Sequence, residues 1–262
     1  MAFSDWHQVR PATAGENGVI VALDFESSRT EPGFRELSAH LDLPYAIAQP
    51  AVSALPVAPT GPAYVAALLA ELHEAEVPVV GVFGYCASGA LACSLASALG
   101  AGARRPRVVV VDPYRADSSM VYYQFLLAVQ QFARMVGQEE QDHTQETALT
   151  LCRAADWAMI ARELPLMYRR VAEAAFDPDD DVDIIDELSE RYTAYLGYLL
   201  ASRESGYQDS RSEDVAVLST SYQVPEGFVG HSFQFDVKHA DLIGLPAVAD
   251  VVRQVFATTR QQ

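Results

Sequence analysis

The stretch from Val77 to Ala103, VPVVGVFGYCASGALACSLASALGAGA, leaves this chain few architectures. It opens with a valine-rich apolar run, Val77 to Phe83, bounded by Pro78 and Gly84, which reads as a strand buried on both faces. From Ala90 to Leu99 alanine, leucine and small residues without β-branched side chains read as a tightly packed helix, and Gly100 is its stop. Only Gly84 to Gly89, GYCASG, lies between them, so the chain must turn sharply from strand into helix.

Such a turn is a nucleophile elbow. The nucleophile stands at the apex in a strained backbone conformation, and its neighbours two before and two after must be small for strand and helix to approach. Gly84 and Ser88 fill those places around Cys86, where the usual G-x-S-x-G pattern has serine at the apex and glycine after it. The backbone N–H of Ala87, at the helix N-terminus, is expected to point at an oxyanion, and the helix dipole to help hold Cys86 as thiolate.

No charge lies between Glu76 and Arg104, as in a membrane span, but Pro78, the glycines and the change from strand to helix composition argue against one. Cys93 and Cys152 read as inert core thiols. With 262 residues, half of them hydrophobic, the chain can bury one large core, and a single domain over 1–262 is expected. The formal charge of −17 disfavours nucleic acid and anionic membrane as partners. Three cysteines without a close-spaced pair suggest neither a disulfide framework nor a zinc site, which suits a reducing cytoplasm. The first residues, MAFSDWHQVR, lack the basic start and apolar core of a signal peptide.

Met1 to Asn17 reads as an irregular lead-in, Gly18 to Phe25 as the first buried strand, Phe34 to Leu41 as a helix and Tyr45 to Ala48 as a short strand. The four prolines of Gln49 to Pro62 predict a surface connection. Ala63 to Glu76 is an amphipathic helix, and Arg107 to Asp112 a strand after the elbow helix. Strands alternating with helices imply a parallel sheet covered on both faces, whose active site gathers at the carboxyl ends of the strands. From Ala116 to Ser212 strand signals stop, and helical spacing appears over Met120–Met135, Thr147–Ala161, Leu164–Phe176 and Ile184–Ser202. A helical insertion over 116–212 is expected to act as a lid. The eight acids of Asp177 to Glu190 read as a solvated face. Strands return at Asp214–Ser219 and Ser232–Val237, and Pro246 begins a closing helix.

A cysteine nucleophile needs a base, and the base an acid to hold its tautomer. Of six histidines, only His239 follows a strand at the carboxyl edge. The acid belongs after the strand next to the elbow or after the following one. The later strand ends in STSYQVPE, with no acid before Glu226, whereas the earlier ends directly in Asp112, which is the better candidate with Glu226 in reserve. A second oxyanion donor is expected from the loop after the first strand, at the backbone N–H of Phe25 or Glu26.

Val19 to Ser28, the elbow GYCASGALA, VVVVDPY, the helical insertion and KHADLI near the C-terminus together resemble the α/β-hydrolase thioesterases of polyketide and nonribosomal peptide biosynthesis. The resemblance implies an α/β-hydrolase fold with a mostly parallel sheet, flanking helices and a lid, and it implies Cys86 as nucleophile, Asp112 as acid and His239 as base. It implies no cofactor and no metal, the substrate arriving on the phosphopantetheine arm of an acyl or peptidyl carrier protein. The chain departs from that family in having cysteine for serine at 86 and serine for glycine at 88. GYCxxG also resembles the elbow of dienelactone hydrolases, but those are similar to a lidless design with the acid after the later strand.

Transfer of an acyl group from a carrier thiol to Cys86 exchanges one thioester for another, so the acyl-enzyme stays activated. Release by hydrolysis or cyclisation is the first reading, transfer to a separate amine or hydroxyl the second, and a non-catalytic fold that binds an acyl chain or partner the third. Arg169 and Arg170 on the insertion are expected to meet an acidic carrier.

Overall fold

A computed structural model of the chain describes residues 6–13, 18–24, 32–51, 60–132, 135–177 and 179–257. Among them β1 Trp6–Arg10, β2 Val19–Leu23, β3 Ala46–Pro50, β4 Val79–Tyr85, β5 Arg107–Val111, β6 Val215–Leu218 and β7 His231–Gln234 form one sheet in the order β1-β3-β2-β4-β5-β6-β7. Every neighbouring pair is parallel except β1 with β3. The helices are α1 Phe34–His40, α2 Gly61–Glu74, α3 Gly89–Leu99, α4 Ser118–Gln130, α5 Gln138–Ala154, α6 Trp157–Ala175, α7 Val182–Ser205, α8 His239–Leu242 and α9 Pro246–Ala257.

The apolar runs of β2 and β5 are buried because successive side chains face two helical layers. Val19, Val21, Leu23, Val108 and Val110 join the core under α2, α3 and α7, while Ile20, Ala22, Val109 and Val111 join the one under α1 and α9. That double coverage is what an all-apolar strand requires. The strand order reverses between β2 and β4, which have β3 and β5 on their far sides. A crevice opens at such a reversal, outside the carboxyl ends of the strands.

Several elements differ from the sequence reading: β3 runs on through Gln49 and Pro50, which are buried rather than part of a surface connection, and α5 already begins at Gln138. Residues Trp6–Arg10, expected to be irregular, add β1 to the sheet edge, where Trp6 pairs with Pro50 and its indole N–H donates to Glu71 at 2.6 Å. With one face open to solvent, this strand carries no continuous apolar run. β4 reaches Tyr85 rather than stopping at Phe83, because pairing with Leu23 carries it through Gly84 and pairing with Val111 through Tyr85. The helix break expected near Arg162 lies at Ala155–Asp156 instead. Ala155 is left-handed (φ 52°) and the Asp156 carboxylate caps the N–H of Met159, and α6 then continues through Pro165.

Helices α4 to α7 occupy the connection from β5 to β6. Tyr168 of α6 and Tyr192 of α7 stack at 4.4 Å, and Phe125 and Phe132 of α4 and its exit meet them edge-on. The second half of α7 is different: Leu196, Tyr198, Leu199, Leu200 and Ala201 are buried with α2 and α3 in the sheet's own core. No helix among the described residues is long and apolar enough to cross a membrane.

The amino edge is tied by one buried ion pair. The Asp214 carboxylate, just before β6, accepts from Arg105 Nη1 at 2.7 Å, Arg105 Nη2 at 3.1 Å and the Arg211 N–H at 2.8 Å, with both side chains nearly solvent-free. Removing one partner of such a pair strands the other charge. Asp214→Ala is therefore expected to cost about 3–5 kcal/mol, read as a lowered urea midpoint at unchanged slope; a loss under about 1 kcal/mol, the value of an exposed pair, contradicts this account.

Candidate active site

At the carboxyl edge, five strands are each followed by a side chain that can donate, accept or react. Asp24 follows β2, Cys86 follows β4, Asp112 follows β5, Tyr222 lies in the loop after β6, and His239 opens α8 after β7. His239, expected in a loop, is thus the first residue of a short helix.

The elbow is built by close approach. A Cβ at Gly84 would lie 2.9 Å from both Ala92 Cβ and Gly89 Cα, so only glycine fits between strand and helix. Cys86 follows in the left-handed region at φ 53°, an unfavourable conformation for a residue with a side chain. Ser88 explains why the motif lacks its second glycine. Its fully buried hydroxyl accepts the Tyr85 N–H at 2.7 Å and offers its proton to the carbonyls of Leu23 at 2.5 Å and Tyr85 at 2.9 Å. One hydroxyl therefore stitches the turn to the end of β2. Tyr114 closes the other side, its N–H donating to the Cys86 carbonyl at 3.1 Å.

Asp112 is also left-handed (φ 43°) and fully buried. Its N–H donates to Val217, and its Oδ1 accepts the Ser219 N–H at 2.6 Å. The other oxygen, Oδ2, lies 2.6 Å from His239 Nδ1. A carboxylate at Nδ1 selects the tautomer that carries its proton there, leaving Nε2 as the acceptor. The Tyr85 hydroxyl sits 3.1 Å from that Nε2. Tyr85 and Tyr222 sandwich the imidazole, with ring centroids at 5.2 and 4.9 Å and interplanar angles of 27° and 23°.

No protein-family model and no curated protein matches the chain. Solved structures do resemble it over nearly its whole length. The Vlm2 thioesterase domain, solved with a bound dodecadepsipeptide, superposes with a TM-score of 0.51 at 16% identity, covering 96% of this chain and 97% of that one. YbtT, a type II thioesterase of the yersiniabactin NRPS/PKS pathway, gives 0.52 at 13%, covering 98% and 99%. The enol-lactonase of Burkholderia xenovorans LB400 gives 0.54 at 11%, covering 98% and 96%. The chain has the α/β-hydrolase fold.

Within this α/β-hydrolase site the structure joins Asp112 to His239 but records no hydrogen bond from His239 to Cys86. The sulfur has other neighbours. The Ala87 N–H and the Tyr222 hydroxyl both offer hydrogen bonds to its thiolate form, while the Asp24 and Asp112 carboxylates face it with like charge. Burial outweighs the two donors and pushes the thiol up to about 11. The expectation that the helix terminus keeps Cys86 ionised is thereby corrected: desolvation and two carboxylates overcome a single N–H. Cys93 is raised by burial as well, and Cys152 to about 11, as befits core thiols.

The remaining sequence candidates fall elsewhere. Phe25 and Glu26 lie outside the described residues, which stop at Asp24 on that loop. Glu226 is exposed in the wall of a groove of about 810 Å³ lined by Tyr114, Tyr207, Gln208, Tyr222 and Gln223 among others. Arg169 is not free for an acidic partner. It pairs with Glu173 at 2.8 Å and Asp186 at 2.7 Å, so the acidic run supplies its counter-charge and only Arg170 of the two stands exposed. Reasoning from sequence missed Asp24, Tyr85 and Tyr222. Tyr222 sits in the loop STSYQVPE, which has no carboxylate before Glu226.

A neutral resting thiol has a direct signature. Alkylation of Cys86 by iodoacetamide, followed by peptide mass spectrometry, is expected to rise with pH toward a midpoint near 11. Asp24→Asn, which removes one of the facing charges, is expected to move that midpoint down. A wild-type midpoint near the ordinary thiol value of about 8.5, or a profile that Asp24→Asn leaves in place, contradicts this electrostatic account.

Proposed function

We propose that this protein is a thioesterase acting on an acyl group carried as a thioester on the phosphopantetheine arm of an acyl or peptidyl carrier protein, with Cys86 as nucleophile, His239 as base and Asp112 as the acid that holds it. The observation that carries the reading is the 2.6 Å contact of buried Asp112 with His239 Nδ1, on the same sheet edge as a left-handed cysteine at a strand-to-helix apex. The likeness to two thioesterases of peptide and polyketide pathways supports the substrate class.

The chemistry follows from the tautomer. As Cys86 Sγ attacks the thioester carbonyl carbon, the thiol proton passes to His239 Nε2 once the Tyr85 hydroxyl gives way, and the carbonyl π electrons move to oxygen, facing the Ala87 N–H. Collapse breaks the bond to the carrier sulfur, which takes the proton from the imidazolium. An acceptor then gives its proton to Nε2 and attacks the acyl carbon, and Cys86 leaves, to be reprotonated. Helices α4 to α6 serve as the lid in this reading.

A second reading, acyl transfer to an amine or hydroxyl, is favoured by the groove. Its volume of about 810 Å³ is far more than water needs and falls within the range of small-molecule sites. Its wall of tyrosines, glutamines, Arg115 and Glu226 suits a polar acceptor better than an aliphatic chain.

Intact-protein mass spectrometry after mixing with a small acyl thioester is expected to show an acyl adduct on the wild type and none on Cys86→Ala. His239→Ala and Asp112→Asn are expected to slow its formation by roughly 10²–10⁴-fold. Candidate amines and alcohols that discharge the adduct faster than water favour the transferase. Equal adduct formation on Cys86→Ala overturns both readings.

A further inference from the structure

We propose that Tyr222 is a catalytic residue of this site: its hydroxyl donates a hydrogen bond to the Cys86 sulfur while its ring holds the imidazole of His239. One side chain then sets both partners of the proton transfer. The inference rests on the reading of Cys86 as nucleophile and His239 as base, and adds to it a residue supplied by a loop with no carboxylate to offer.

The placement is what argues for it. The loop after β6 stands between the strand ends that deliver Asp112 and His239, and Gln234 Nε2 fixes it by bonding the Ser219 carbonyl. From there the Tyr222 ring covers one face of the imidazole at 4.9 Å, opposite Tyr85 on the other. Its hydroxyl neighbours the Cys86 sulfur closely enough to hydrogen-bond it. A phenol placed there merely to pack would have no need to turn its one donor toward a thiol. Tyr222 also lines the groove, so a group bound beside it there lies against a residue in contact with both reacting side chains. Burial, with Cys86 and Asp112 nearby, raises the phenol above its ordinary value and keeps it a donor rather than an anion.

The hydrogen bond matters most when sulfur carries charge. Negative charge grows on Sγ as its proton leaves for Nε2, and returns when Cys86 departs from the acyl carbon in the second half-reaction. A fixed phenolic donor strengthens in both. No proton leaves Tyr222 in either step, so the balance of the reaction is unchanged.

Tyr222→Phe keeps the ring and removes only the donor. Its Cys86 alkylation profile is expected to shift upward by about one pH unit, the size of one hydrogen bond to a charged group. Its rate of acyl-adduct formation from a small thioester is expected to fall on the order of tenfold to a hundredfold, with little change in the concentration dependence. Tyr222→Leu, which also removes the stacked ring, is expected to fall further; a loss no greater than that of the phenylalanine variant overturns the part given to the ring. The alkylation readout needs no thioester. A profile that moves while the wild type forms no adduct counts against acyl transfer and for the hydrogen bond. A profile that stays in place while the wild type forms its adduct normally overturns the role of Tyr222 alone.

Discussion

Everything at this site depends on how closely β4 and α3 approach. Gly84 leaves no room for a side chain against Ala92 and Gly89, and that contact forces the intervening residue into the left-handed conformation that lifts Cys86 clear of the sheet. Strain of this kind, on the order of 1–3 kcal/mol, persists only where the surroundings over-determine it. Here they do so from three sides. Ser88 ties the turn to Leu23 on β2, Tyr114 ties it to the exit of β5, and α3 is buried over its first five residues and at Leu95 and Ala96. The serine at position 88 is therefore no defect of the motif. A glycine would fit the same space but would leave the Tyr85 N–H without the partner it now has.

The second constraint is electrostatic. The thiol faces two carboxylates and no described cation, so nothing offsets its burial except a backbone N–H and a phenol. Cysteine sites that rest as an ion pair place a positive charge beside the sulfur. In this one the imidazole is engaged by Asp112 at Nδ1 and by Tyr85 at Nε2, which suits the base role proposed for it. A slow reaction with iodoacetamide at neutral pH therefore does not mark the fold as non-catalytic. It is what an enzyme with general-base activation of a buried thiol shows at rest.

Much of this was legible in the chain because the informative residues are local. The apolar runs of β2, β4 and β5 and the small residues of GYCASG fix strand, turn and helix within a few positions, and Asp112 ends its strand directly. What escaped depends on partners distant in sequence. β1 is a strand only because β3 offers an edge, and β4 passes Gly84 only because β2 and β5 pair with it there. Tyr222 and Tyr85 carry no motif: a tyrosine in a loop or at a strand end reads as packing until His239, brought back from far along the chain, is found between them. The ionisation of Cys86 was misjudged for the same reason, since the helix terminus is visible in sequence and the encircling carboxylates are not.

A thiol that stays protonated at rest also fits the exchange of one thioester for another. An exposed thiolate reacts with any oxidant or electrophile that reaches it, whereas a thiol held neutral by its surroundings is far less reactive. In the proposed mechanism, proton transfer to His239 requires the Tyr85 hydroxyl to release Nε2, while Tyr222 stays on the sulfur side. A carbonyl entering between them displaces no charge and breaks one neutral hydrogen bond, worth about 0.5–1.5 kcal/mol net. In the proposed reaction donor thioester and acyl-enzyme are nearly equal in free energy, so the barrier, rather than the equilibrium, would decide whether an acyl group is accepted. In that reaction the Tyr85 cap, which yields only to a well-placed carbonyl, puts the decision in the geometry of the site.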